Sequence, residues 1–144
     1  MAKTVTFEPQ HLAELLEEGA AAYLKPLLTP EVLESFRGRP LTHSIEQNGK
    51  VVFCGGVSLY YPGRGEAWAF FDSTCRKNFV PIFKIVKKWL NDCPVRRIEA
   101  SVKADDEQAH RWVKSLGFEL EAPLLKAYRP DGADCALYSK VKHG

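Results

Sequence analysis

Charge imbalance, metal-ligand clusters and long apolar runs are all missing from this sequence, and each absence removes a class of function. The 144 residues carry a net charge of only +2, and no basic run is interleaved with aromatics as single-strand binders require. No nucleic-acid partner is expected. The four cysteines, Cys54, Cys75, Cys93 and Cys135, include no Cys-x-x-Cys pair and have no histidine at metal-ligand spacing. Hence no metal is expected, and free thiols in a reducing cytoplasm are the better reading. No apolar run approaches a membrane span, and Met1-Ala2-Lys3-Thr4 lacks a hydrophobic signal region, so neither membrane nor export is expected. Repeats, low-complexity tracts and linkers are absent too. The four histidines are scattered: His110 belongs on the rim of a helix stripe, His143 in the tail, and His11 and His43 in no recognisable site.

What the chain does have is apolar material for one core. With 45% hydrophobic residues, its 144 positions fit a single domain, 1–144. Thr4 to Phe7 reads as a short strand, and Pro9 opens a helix with Leu12, Leu15 and Leu16 on one face, weakened at Gly19. Thr29-Pro30-Glu31 starts a second helix, with Val32, Leu33 and Phe36 inward and Gly38 closing it. Leu41 to Gln47 and Val51 to Tyr61 are strands joined at Asn48-Gly49, the dipeptide a type I′ turn favours. Pro62 to Gly65 turns into a strand from Glu66 to Asp72, in which Trp68, Phe70 and Phe71 look like core. A helix from Val80 to Leu90 follows, with Ile82, Ile85, Val86 and Trp89 on one side and Lys84, Lys87 and Lys88 solvated. The last strands are Phe118 to Ala122, extended toward Arg129, and Cys135 to Val141, with a turn at Pro130-Asp131-Gly132.

The most informative stretch runs from Asp105 to Phe118. It reads as a helix from Asp105 to Leu116, with Asp105 and Gln108 at capping-box spacing and Ala109, Trp112, Val113 and Leu116 in one stripe. Gly117 closes it in the left-handed region and delivers Phe118 into the next strand. The strand before it, Ile98 to Val102, alternates as a strand buried on at least one face.

Strand, helix and Leu-Gly-Phe ending together resemble the C-terminal half of GNAT-type N-acetyltransferases, matched here at Ile98, Ala100, Val102, Ala109, Leu116, Gly117 and Phe118, with Asp106 in the family's Asn position. The element order β-α-α-β-β-β-α-β-α-β-β extends the resemblance over nearly the whole chain. The segments Arg96-Arg97-Ile98-Glu99-Ala100, His110-Arg111-Trp112, Phe118 to Pro123 and Tyr128 to Gly132 are further similar to small GNAT-like proteins encoded by tailed phages. The resemblance implies a GNAT-like α/β fold, a mixed splayed sheet flanked by helices on both faces.

It also implies acetyl-CoA as the acyl donor. In the family its pyrophosphate meets backbone N–H groups at a helix N-terminus, where the helix dipole favours an anion. The cofactor-binding residues are then expected to be Phe71, Asp72, Ser73, Arg76, Lys77, Asn78, Phe79 and Val80, with Asp106 beside them. The family's loop glycines fall at Lys77, Phe79 and Pro81, none of them glycine. Pro81 has no N–H, and Phe79 would crowd a phosphate unless its ring turns away. Arg76 and Lys77 can compensate through charge-assisted hydrogen bonds, or be an ordinary solvated pair.

A base must keep the acceptor amine neutral for attack, and the resemblance points to a carboxylate on the fourth strand: Glu66, with Asp72 as the other candidate. Glu66 stands one residue from the family position, so it faces the other side unless the strand is bulged, or it merely begins a strand next to Arg64. The family's acid is a tyrosine where this chain has Val113, leaving Tyr128 or Tyr138 on the last strands as substitutes, or as packing residues. Cys75 precedes Arg76-Lys77 near a helix start, a setting that lowers a thiol pKa, yet no His follows at nucleophile spacing.

Two functions follow from the resemblance. One is a phage-type N-acetyltransferase acting on an amine of a protein or small molecule. The other is a degenerate GNAT domain serving as a virion component or host-protein binder. Either is expected in the cytoplasm of the infected cell, and the second in the virion as well.

Overall fold

Periodicity and turn chemistry translate into the expected elements, with a few local shifts that matter for the site. A computed structural model describes residues 2–18 and 22–142. The elements are β1 (Ala2–Val5), α1 (Pro9–Glu18), a 3-10 turn (Ala22–Leu27), α2 (Pro30–Ser35), β2 (Thr42–Gln47), β3 (Lys50–Tyr61), β4 (Arg64–Phe71), α3 (Ser73–Lys77), α4 (Val80–Asp92), β5 (Arg97–Lys103), α5 (Glu107–Ser115), β6 (Glu119–Leu125) and β7 (Cys135–Val141). The strands make one seven-stranded mixed sheet in the order β1-β2-β3-β4-β5-β7-β6, flanked by helices. β4 and β5 are parallel, paired from Arg64↔Arg97 to Glu66↔Glu99. The residues group into two compact units, Met1–Gly56 with Trp68–Asn91 and Val57–Ala67 with Asp92–Gly144, so β3 and β4 contribute to both.

In the first unit, Leu12, Leu15 and Leu16 bury the face of α1 as expected, in a core with Phe7 and Cys54. Thr29 caps α2, its Oγ1 accepting the Val32 N–H at 3.3 Å. Leu33 and Phe36 turn inward, but Val32 is 37% exposed. A helix of six residues has one inward stripe, and positions 33 and 36 fill it. β1 lies two residues earlier than expected: Val5 pairs with Ser44, and Phe7 turns into the core instead of continuing the strand. Asn48 and Gly49, at φ of 55° and 79°, make the left-handed turn between β2 and β3. On α4, Ile82, Val86 and Leu90 are buried, Ile85 and Trp89 half-buried, and the three lysines exposed.

In the second unit, Ile98, Ala100, Val102, Leu116, Phe118, Ala136 and Tyr138 are buried. The cap of α5 is Asp106, not Asp105: its Oδ1 accepts the Ala109 N–H at 3.1 Å, so the expected capping box stands one residue too early. The Asp106 N–H bonds Lys103 O at 3.0 Å, and that turn fixes which aspartate faces the helix end. Gly117, at φ of 98°, closes α5 and sends Phe118 inward as expected. Gly132 makes the left-handed turn before β7. The extension of β6 toward Arg129 stops at Leu125.

All four cysteines are buried free thiols. Burial, with the nearby Asp72 charge adding to it, pushes Cys75 up to about 12, the reverse of the lowering its basic neighbours suggest. Its Sγ donates to Val52 O at 3.2 Å and serves packing. Among the described residues no group of His, Cys, Asp or Glu could hold a metal ion, and no helix is long and apolar enough to cross a membrane. The expectations for Gly19 and His143 lie outside the described residues.

Candidate cofactor segment and acceptor face

The segment Phe71 to Val80 belongs to the first unit. At the end of β4 the Asp72 N–H bonds Val52 O at 3.1 Å, and its carboxylate, 3% exposed, stands 3.5 Å from Lys50 Nζ. That burial makes Asp72 an anchor of the strand end, paired with Lys50. Ser73 opens α3, a short helix that sequence periodicity does not predict, and Arg76 and Lys77 are its last turn. The Arg76 guanidinium lies 5.5 Å from the centre of the Phe71 ring, while Lys77 and Asn78 are exposed. Phe79 O accepts the Phe83 N–H at 2.7 Å, and its ring sits edge-on to Phe83 at 6.2 Å, turned along the helix. The first turn of α4 then presents the N–H groups of Val80 and Ile82, Pro81 contributing none. Two basic side chains ahead of a thirteen-residue helix suit an anion without any glycine.

The second unit carries a polar network across one sheet face. Glu99, 4% exposed on β5, accepts Arg64 Nε at 2.6 Å and Nη2 at 3.1 Å, and also Arg97 Nε at 2.8 Å. Arg64 and then Arg97 hold its carboxyl below the usual carboxylate range. Arg97 Nη2 continues to Glu121 Oε1 at 2.8 Å. Arg64 also lies over the Tyr60 ring at 4.5 Å, and the Tyr60 hydroxyl donates to Glu66 Oε2 at 3.2 Å. The parallel register sets Glu66 directly opposite Glu99 on the same face, with no bulge, and β4 already begins at Arg64. With no bulge, Glu66 faces the side opposite the glutamate position that the resemblance points to; it is a strand residue with a built partner, the Tyr60 hydroxyl, rather than a strand-starting surface charge. Tyr128 lies on the connection after β6, not on a strand, and is 46% exposed. Desolvation, then the charges of Glu66 and Glu99, raise its phenol above the ordinary range, with Arg64 opposing. A phenol is protonated at neutral pH in any case, and the upward shift makes its proton harder to give up.

Tyr138 is committed elsewhere. His110 Nε2 lies 2.9 Å from Ala104 O, which can only accept, so that nitrogen carries the hydrogen and Nδ1 accepts from the buried Tyr138 hydroxyl at 2.6 Å. The phenol proton is spent inside the core, which removes Tyr138 as a general acid. Val113, half-buried on α5, donates nothing.

Of the residues singled out from sequence, Phe71 to Val80 come together in the first unit, and Glu66 and Tyr128 both belong to the second. Asp106 is occupied as the cap of α5. Tyr60, Arg64, Arg97 and Glu99 were missed. The available signal was Glu99 itself, a carboxylate inside the apolar alternation of Ile98, Ala100 and Val102.

No family model and no curated protein matches the chain. Solved structures match it over nearly full length. A probable acetyltransferase from Staphylococcus epidermidis ATCC 12228 superposes with a TM-score of 0.81 at 11% identity, over 99% of this chain and 100% of that one. An N-acetyltransferase from Staphylococcus aureus Mu50 gives 0.75 at 16%, covering 98% of each chain. An acetyltransferase of the GNAT family from Streptococcus pneumoniae gives 0.73 at 17%, over 99% and 100%. At such identities the likeness establishes the fold. The chain has the GNAT fold, and these neighbours are acetyltransferases.

Proposed function

We infer that this chain is an acyl-CoA-dependent N-acetyltransferase that moves an acetyl group from acetyl-CoA to an amine. The observation that carries the reading is the Glu66 carboxylate on β4, oriented by the Tyr60 hydroxyl at 3.2 Å, with the Tyr128 phenol of the same unit the candidate acid. A base and an acid of that kind are what acyl transfer to an amine needs. Glu66 takes the proton that leaves the amine nitrogen. The nitrogen lone pair forms the C–N bond at the thioester carbon, the C–S bond breaks, and Tyr128 supplies a proton to the departing thiolate. Arg76, Lys77 and the Val80 and Ile82 N–H groups are the groups suited to the pyrophosphate, with the Phe71 to Ser73 backbone, Asn78 and Phe79 completing the segment. The short stretches similar to phage GNAT-like proteins support reading it as the phage-encoded type, acting in the infected cell on a protein or small-molecule amine.

Calorimetry with acetyl-CoA on the wild type and Arg76→Ala, followed by CoA release with a panel of amines, tests this. The expected result is binding weakened by Arg76→Ala, and turnover that falls about 10²–10⁴-fold in Glu66→Gln. Absence of binding at millimolar acetyl-CoA, with a stable protein partner recovered instead, would overturn the reading in favour of a binding module.

A further inference from the structure

The pattern Arg-x-Glu occurs on both parallel strands, as Arg64-Gly65-Glu66 on β4 and Arg97-Ile98-Glu99 on β5. The register sets the two copies side by side, Arg64 opposite Arg97 and Glu66 opposite Glu99. Alternation along a strand puts the arginine and the glutamate of each copy on one face. The two copies nevertheless pair differently. On β5 the arginine bonds the glutamate two residues on, Arg97 Nε to Glu99 Oε2 at 2.8 Å. On β4 the same spacing offers Glu66 to Arg64, yet the Arg64 Nε and Nη2 donate across the strands to Glu99 at 2.6 and 3.1 Å. Both arginines converge on Glu99, and among the described residues Glu66 meets only the Tyr60 hydroxyl, at 3.2 Å.

Burial explains the choice. Glu99 is 4% exposed, and a carboxylate so withdrawn from water needs charged partners, whereas the half-buried Glu66 keeps part of its hydration. Tyr60 reinforces it: the Arg64 guanidinium lies over its ring, 4.5 Å from the centre, while its hydroxyl bonds Glu66. One side chain thus steadies the arginine and occupies the carboxylate. Arg97 is committed at its other end, where Nη2 donates to Glu121 Oε1 at 2.8 Å. The arrangement matters for a base, because an arginine paired with Glu66 would make that carboxylate roughly 10- to 1,000-fold less basic.

We propose that Glu99 is a positioning residue for acetyl transfer: by holding Arg64 across the strands it keeps the guanidinium off Glu66 and leaves that carboxylate able to accept a proton. The inference rests on the acetyl-transfer reading for the role of Glu66, while the placement of Arg64 is measurable without any turnover.

The test compares wild type, Glu99→Gln and the double variant Glu99→Gln/Arg64→Gln in the full chain. NMR follows the coupling through the hydrogen bond from Arg64 Nε–H to a carboxyl carbon, and the titration of the Glu66 carboxyl carbon. CoA release follows kcat with the fastest acceptor of the amine panel. In the wild type the coupling should reach Glu99. In Glu99→Gln it should move to Glu66, the Glu66 carboxyl should titrate at lower pH than in the wild type, and kcat at neutral pH should fall about tenfold. Removing the released arginine as well should return the titration toward wild type and kcat to within about threefold. A purely structural role for Glu99 cannot give that rescue, since the double variant has lost more of the network. If Glu99→Gln does not fold, the wild-type coupling decides: Arg64 bonded to Glu66 would overturn the proposal. So would a folded Glu99→Gln with unchanged kcat and an unmoved Glu66 titration, which leaves the acetyltransferase reading standing. Transfer of Arg64 to Glu66 in a protein that neither binds acetyl-CoA nor acetylates any amine would uphold the placement and remove that reading instead.

Discussion

Two buried regions treat polar side chains in opposite ways. Around His43, in the first unit, the imidazole is 8% exposed, lies 4.6 Å from the Trp89 ring and near Phe53, and neither ring nitrogen has a hydrogen-bond partner among the described residues. Around Glu99 and His110, in the second unit, the carboxylate has two arginines and the imidazole has both nitrogens bonded. A buried group without partners must be neutral and acts as a shape. One with partners keeps its charge or its tautomer and orients whatever it touches, which is what binding and catalysis use. The candidate chemistry accordingly sits with the second kind.

The largest expected effect breaks the first side of this comparison with protons. Burial lowers His43 from 6.5 to about 4. Below 6.5 the unfolded chain takes up a proton that the folded chain refuses, so stability falls as pH drops from 6.5 toward 4, levels off below that, and is untouched by this residue above 6.5. The depression corresponds to about 3 kcal/mol in all. Denaturant titrations from pH 7 to 4 should show a steep decline in the wild type and a flatter one in His43→Leu. Parallel profiles would mean that His43 acquires a partner when charged.

Glu99→Gln tests the other side. The amide keeps the shape and gives up the charge, leaving two arginines that are partly solvated, so the loss should be about 2 kcal/mol rather than the 3–5 of a fully buried broken pair. Because the folded carboxyl is held low, the stability Glu99 contributes is present above 4.5, its unfolded value, and fades as pH falls below it. The variant should lack that acid limb. A variant as stable as the wild type would make the network a surface ornament.

Tyr138→Phe is a smaller perturbation, removing the donor to His110 Nδ1 and leaving one buried acceptor unbonded. Equilibrium unfolding should register about 1 kcal/mol, with turnover unchanged if Tyr128 is the acid. Lost turnover with intact folding would return Tyr138 to the mechanism. The smallest effect concerns Ala127, at φ of 50° just before Tyr128. Ala127→Gly should relieve strain by up to ~1 kcal/mol, offset in part by the entropy glycine loses on folding. A melting temperature lowered by more than a few degrees would show that the side chain packs.

Much of the fold was legible because local chemistry specifies it. The Leu12, Leu15, Leu16 stripe, the Asn48-Gly49 turn, the Thr29 cap and the Gly117 stop each express a preference within a few residues. The errors were local as well. Asp105 and Asp106 are equally good caps in isolation, and only the turn from Lys103 chooses between them. α3 was invisible because five residues carry too little periodicity to count.

By itself, then, the sequence determined the order and kind of the elements, the closing of α5 and the lack of loop glycines, since these depend on neighbours in the chain. Tertiary structure alone decided that Glu66 faces Glu99, that Tyr60 rather than an arginine holds Glu66, that the Tyr138 proton is spent on His110, and that Cys75 is inert. Each depends on strand register or burial between residues far apart in the chain. A one-residue slip of β4 against β5 would turn Glu66 to the other face, and no local propensity distinguishes the two registers.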